Sequence, residues 1–227
     1  MSDNIHNGHR KRLKDRFLKE DGISSFSDHE VLELFLYYCI PQKDTNPIAH
    51  QLLNHFGGKF SAVFERPYHE LLKVDDIGEH TALGVRLVAE MTRRLYEDKL
   101  DHSVKLDSQD NVYEYLKPRF IGLSDEHIYC LFLDNLMRPI SCELVAKGVP
   151  NSVNISPRQV VEAAIKHRAV NIVLAHNHPQ GLSVPSHSDV AITRDIETAL
   201  NAMDMVLIDH FIMSKDDYAS MKNGKWI

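Results

Sequence analysis

Apolar residues in the first hundred positions recur at helical spacing and nowhere alternate along an extended period. Residues 10–19 carry Leu13, Phe17 and Leu18 at that spacing, within a basic segment. Ser27-Asp28-His29-Glu30 has the wording of a capping box, and the apolar run 31–38 follows it until Pro41 stops the element. A third helix is predicted over 44–56, with Ile48, Leu52, Leu53 and Phe56 on one face and Gly57-Gly58 ending it. Short helices are expected at 61–64 and 69–72, and a longer one at 80–100.

The pattern changes after Leu100. Residues 101–110 are polar and read as a linker, and a helix is predicted over 111–120. Two β-like runs follow, 128–133 and 140–146, joined by the turn residues 134–138. Ser156 and Pro157 open a helix that runs to His167. The β-branched run 170–175 reads as a buried strand, 189–203 as an amphipathic helix, and 206–213 as a last strand. The expectation is an α/β protein with a helical domain over 1–104 and a mixed α/β domain over 105–227.

Composition narrows this further. The chain has 227 residues, 43% of them hydrophobic and 26% charged, which suits a folded globular protein. The longest apolar run, 31–40, contains Glu33 and falls short of the roughly 20 residues that cross a bilayer. The basic N-terminus has no apolar segment after it, so no secretory signal is expected. Cys39, Cys130 and Cys142 are odd in number and form no close pair, which fits a cytoplasmic protein without disulfides. Residues 1–100 hold 14 basic and 16 acidic side chains, and residues 101–227 hold 12 and 16. Neither half has the basic excess of a strong nucleic-acid binder.

The chemistry is concentrated in residues 175–189, between a strand and a helix. His176 and His178 are two apart on an extended chain, so both imidazoles face the same side at the strand's end. Asp189 lies in the first turn of the next helix and offers a carboxylate oxygen. Two histidines and one aspartate bind zinc and leave a fourth position for water, the open coordination of a catalytic site. Ser186, one turn before Asp189, can donate to a developing oxyanion; Ser186-x-x-Asp189 also has the spacing of a capping box, and the two roles are compatible. Glu126, just before the first β-run, is the first choice for a general base, with Glu143 the second. His210, in the last strand, could stand behind the metal ligands or be an ordinary strand histidine, and the second reading is preferred.

His176-x-His178, seven residues, then Ser186-x-x-Asp189, with a glutamate upstream, resembles the JAMM motif of the JAB1/MPN metalloprotease superfamily. The wording His176-Asn177-His178-Pro179-x-Gly181 and Pro185-Ser186-x-x-Asp189 most resembles the RadC family, also called UPF0758. The resemblance implies a cytidine-deaminase-like α/β sandwich, zinc on His176, His178 and Asp189, Glu126 as the water-activating base, and Ser186 as the oxyanion donor. It extends to the N-terminal half through His9-Arg10-x-Arg12-Leu13 and Leu52-Leu53-x-x-Phe56-Gly57. Leu71 to Gly78, followed by a helix, resembles a helix-hairpin-helix, which holds DNA phosphate on backbone N–H groups. Asp76 stands where such hairpins carry their first glycine, beside Asp75 and before Glu79, and these carboxylates oppose a phosphate.

The leading expectation is therefore a zinc hydrolase of JAMM type acting on a protein or peptide. Cleavage of a nucleic acid, or a non-enzymatic DNA-associated role for the helical domain, is the alternative. DNA contact is expected to be weak, and no membrane partner is expected. The substrate and the oligomeric state are not written in the sequence.

Overall fold

In the computed structural model, residues 8–148, 155–179, 181–214 and 217–227 are described. Residues 149–154 lie outside them. Six helices precede the sheet domain: α1 (His9–Glu20), α2 (Asp28–Cys39), α3 (Asn46–His55), α4 (Phe60–Phe64), α5 (Tyr68–Leu71) and α6 (Glu79–Glu97). Two compact units form, and the division falls between Met91 and Thr92, inside α6.

The helical unit encloses its own core. Leu32 and Leu36 of α2 pack with Ile48, Leu52 and Leu53 of α3, Val63 of α4, Leu71 of α5, and Ala82 and Val85 of α6. The capping box before α2 forms: the Ser27 backbone N–H donates to the Glu30 carboxylate at 3.0 Å. Gly57 and Gly58 end α3 with positive φ (82° and 78°), a conformation that costs glycine little. Between α5 and α6 the chain turns at Asp76, whose φ of 64° is a left-handed conformation that aspartate tolerates better than most residues. Its carboxylate pairs with Lys43.

Two basic side chains of α1, Arg10 and Arg16, are committed within the helical unit, while Lys11, Arg12, Lys14 and Lys19 are exposed. Arg10 donates to the carbonyl oxygens of Ile40 and Pro41, each at 2.6 Å, and to that of Lys43, so it ties down the C-cap of α2 and the turn that follows it. Its guanidinium also lies 4.6 Å from the Tyr37 ring. Arg16 holds Glu30 through two bonds of 2.9 Å. That guanidinium keeps the Glu30 carboxyl down at about 2. Hydrogen bonds to a charged donor are worth about 1.5–3 kcal/mol. Arg10→Ala is therefore expected to destabilise the helical unit by at least about 1.5 kcal/mol, read as a lower urea midpoint at unchanged slope. An unchanged midpoint would show that water replaces the guanidinium at those carbonyls.

The second unit is built on a five-stranded sheet with order β2-β1-β3-β4-β5. α7 (Gln109–Leu116) and a 3-10 turn (Lys117–Phe120) lead into the hairpin of β1 (Glu126–Leu133) and β2 (Pro139–Gly148). The Asp134 carboxylate accepts from the N–H groups of Leu136 and Arg138, both at 2.8 Å, and Met137 takes a left-handed φ of 63°. These contacts fix the turn that the sequence marks. α8 (Pro157–His167), β3 (Asn171–Asn177), α9 (His187–Asn201), β4 (Val206–Met213) and the short β5 (Tyr218–Ser220) follow. β1 pairs antiparallel with both β2 and β3, while β3 and β4 run parallel across the α9 crossover.

Both faces of this sheet are covered. Ile128, Cys130 and Phe132 of β1 and Ile172 and Leu174 of β3 pack on Val160 and Ala164 of α8 and on Ile196 and Leu200 of α9. Leu131, Leu133, Val173, Ala175 and Phe211 face the other way, onto Val112, Tyr115 and Leu116 of α7. The result is the α/β sandwich expected for residues beyond the helical half. Among the described residues, no helix is long and apolar enough to cross a membrane.

Candidate metal centre

The alternation of β3 decides where its last residues point. Ile172 and Leu174 face α8 and α9, so the pleat returns to that face at His176 and, just past the strand, at His178. The parallel β3–α9–β4 crossover brings the N-terminus of α9 back over the carboxyl end of β3, where open α/β sheets bind ligands. The His178 N–H donates to the Met213 carbonyl at 2.8 Å, which ties the loop to the end of β4. Gly181 sits against His178; a Cβ there would come within 3.3 Å of the histidine's own Cβ.

His176, His178 and Asp189 converge as the spacing predicts, with one ligand atom from each within 4.8 Å of the others. The two Nε2 atoms are 2.9 Å apart. Asp189 Oδ1 is 3.5 Å from Nε2 of His176, and Oδ2 is 3.8 Å from Nε2 of His178. Bonds of roughly 2.0–2.1 Å at tetrahedral angles separate ligand atoms by about 3.4 Å, so the three groups need shift only by a few tenths of an ångström.

The chemistry of the donors also fits. His178 Nδ1 lies 3.0 Å from the Leu182 carbonyl, which can only accept, so the ring carries its proton there and its Nε2 is a lone pair. That lone pair faces His176 Nε2 and a carboxylate, a grouping of acceptors that calls for a cation. Burial pushes the His176 imidazole down to about 4, against the pull of the Asp189 carboxylate, so near neutral pH it is uncharged, as a ligand must be.

Ser186 and Asp189 form the capping box at the start of α9. The Ser186 backbone N–H donates to Asp189 Oδ2 at 2.7 Å, its hydroxyl donates to the same oxygen at 2.6 Å, and the Asp189 N–H donates back to Ser186 Oγ at 3.1 Å. The helix cap therefore also orients the carboxylate, leaving Oδ1 toward His176. In this arrangement the Ser186 hydroxyl proton is committed to Asp189, and serving an oxyanion requires the hydroxyl to rotate.

Glu126 is the first residue of β1. Ile128 pairs with His176, and two residues back the pleat returns to the same face at Glu126. The base candidate is thus on the histidine face but outside the three-ligand cluster. Asn177, between the two histidines, points to the other face and grips the peptides on both sides of Glu126. Its Oδ1 accepts from the His127 N–H at 2.8 Å, and its Nδ2 donates to the Asp125 carbonyl at 3.0 Å. Glu143 is elsewhere: it lies on β2, which β1 separates from β3, and it binds Lys166 at 2.7 Å and His167 at 2.8 Å. The Lys166 ammonium holds its carboxyl below the usual range, which makes it a poor base.

Comparison with known proteins decides the family. The RadC-like JAB domain matches residues 106–226. The UPF0758 protein FN0909 of Fusobacterium nucleatum is 33% identical over 228 residues, covering 97% of each chain. The chain belongs to the RadC family, UPF0758. The family's JAB domain thus coincides with the sheet unit that carries the His/His/Asp cluster.

Sequence reasoning gave no role to Thr193 or Asn177 of this RadC-family site, and preferred an ordinary strand histidine at His210 to a support behind the metal ligands. His210 is buried, with its Nε2 2.8 Å from His176 Nδ1, and Thr193 Oγ1 is 2.7 Å from His210 Nδ1. Asn177 grips the Glu126 segment. The signals were a histidine inside an apolar strand, a threonine one turn after Asp189, and the asparagine between the two motif histidines.

Proposed function

We propose that this protein is a zinc-dependent hydrolase of JAMM type that cleaves a peptide or isopeptide bond. The observation that carries the reading is the convergence of two buried or half-buried imidazole nitrogens and one carboxylate on the side of the sheet where Glu126 begins β1. His176, His178 and Asp189 would hold the ion. When bound, zinc supplies a Lewis acid that makes water acidic enough to attack at neutral pH. Glu126 takes the proton from the attacking water and returns it to the leaving amine. Ser186 turns its hydroxyl from Asp189 to the developing oxyanion.

The test is cleavage of peptide and isopeptide libraries by zinc-loaded protein, read by mass spectrometry. Cleavage should be lost on chelation and restored by zinc. Hydrolysis of phosphodiesters alone would move the reading to a nuclease.

The helical unit is expected to contribute little affinity for DNA. Arg10 and Arg16 are committed to internal carbonyls and to Glu30, so the basic charge that α1 offers to phosphates is reduced to Lys11, Arg12, Lys14 and Lys19. Non-specific affinity rises with the number of lysines and arginines that displace counterions, so binding at physiological salt should be no tighter than about 10⁻⁴–10⁻⁶ M. Fluorescence anisotropy at two salt concentrations measures it. Nanomolar binding with a steep salt slope, lost on Lys11→Ala with Lys14→Ala, would put the DNA-associated role first.

A further inference from the structure

We propose that Thr193 and His210 form a relay that fixes the tautomer of His176 and so presents its Nε2 lone pair to the metal, an inference that rests on the zinc-site reading above. The assignment follows from counting protons. Thr193 is fully buried on α9, one turn beyond Asp189. Its Oγ1 lies 2.5 Å from the Asp189 carbonyl oxygen, which has no hydrogen to give, so the hydroxyl donates. That spends its one proton. The 2.7 Å contact between Thr193 Oγ1 and His210 Nδ1 must then be donated by the ring. A neutral imidazole protonated at Nδ1 has a lone pair at Nε2. The 2.8 Å contact from there to His176 Nδ1 is therefore donated by His176, whose own Nε2 is left bare. The relay begins at the backbone of Asp189 and ends beside its carboxylate, so one helical turn controls two of the three ligands.

The backbone holds His210 in place for this role. β4 pairs Leu207 with Ile172 but Asp209 with Val173, so Ile208 is an extra residue in the ladder. This bulge shifts the alternation and turns His210 to the α9 face. Next to it, the buried Asp209 carboxylate accepts from the His210 N–H at 2.7 Å, from the Lys222 N–H at 3.0 Å and from the Ser220 hydroxyl. With Thr193→Val, nothing receives the His210 Nδ1 proton. His210 then prefers the Nε2–H form, donates to His176 Nδ1, and moves the His176 proton to Nε2, where it blocks the metal.

Long-range ¹⁵N–¹H spectra of the metal-free protein near neutral pH read these tautomers directly. Wild type and Thr193→Ser should show His176 and His210 both protonated at Nδ1, and Thr193→Val should show the protons at Nε2. In competition with a chromophoric chelator, Thr193→Val should bind zinc about 10–100-fold more weakly, the usual loss when a ligand's outer partner is removed, while Thr193→Ser stays close to wild type. A wild-type His176 protonated at Nε2 overturns the relay. So does a folded Thr193→Val protein with unchanged tautomers and unchanged zinc affinity. Nδ1–H tautomers in a wild-type chain that takes up no zinc would support the relay's proton order and overturn only the metal reading, so the two failures can be told apart.

Discussion

Replacing His176 and His178 together with alanine is expected to abolish zinc binding. Wild-type protein purified without chelator should carry about one zinc per chain, the occupancy of a single three-ligand site. The double variant should carry none, because Asp189 alone, with one oxygen already held by Ser186, offers too few donors to compete with water. The fold should survive. The sheet is packed on both faces, and each fully buried leucine, isoleucine or phenylalanine contributes roughly 1.5–3 kcal/mol. Phe132, Ile172 and Leu174 on one face and Leu131 and Leu133 on the other anchor two cores that need no metal to nucleate them. Elemental analysis together with circular dichroism checks both halves of the expectation. Full zinc retention by a folded double variant would sink the metal site.

Glu126→Gln should retain zinc and lose hydrolysis by roughly 10²–10⁴-fold, the range for removing a general base. The amide keeps the size and hydrogen-bonding reach of the side chain but cannot take a proton from water. Zinc content separates this outcome from loss of a ligand. The same substitution at Glu143 should leave activity near wild type, because that carboxylate is bound by Lys166 and His167 on the far side of β1. A fully active Glu126→Gln beside a dead Glu143→Gln would reverse the two roles. The rate is measured on any peptide that the wild-type protein turns over, and zinc is measured on the same samples.

Local spacing made much of this protein legible without a structure. A repeat of 3.6 separates the helices of the first half from the strands of the second, and capping wording marks where α2, α8 and α9 begin. The expected helix at 157–167 and strand at 206–213 have those bounds in the structure. The three-residue β5 was not foreseen, because so short a strand has no period of its own and exists only by pairing with β4. α1 was legible as a helix, but not the use of its charges. Nothing in its sequence says that Arg10 reaches carbonyls some thirty residues away.

The sequence by itself determined the two histidines of the cluster as a pair, because residues two apart on a strand share a face whatever surrounds them, and it put Asp189 in the first turn of the next helix. The tertiary structure decided what those residues meet. Placing Glu126 on the histidines' side of the sheet and Glu143 on a strand that β1 separates from β3 requires the strand order and the register between β1 and β3, which are long-range pairings. His210 joins His176 only because an extra residue at Ile208 reverses the alternation of β4, and Thr193 completes the relay only because the crossover lays α9 against that face. Periodicity fixes which face of its own element a side chain takes; only the packing of one element on another fixes what stands opposite.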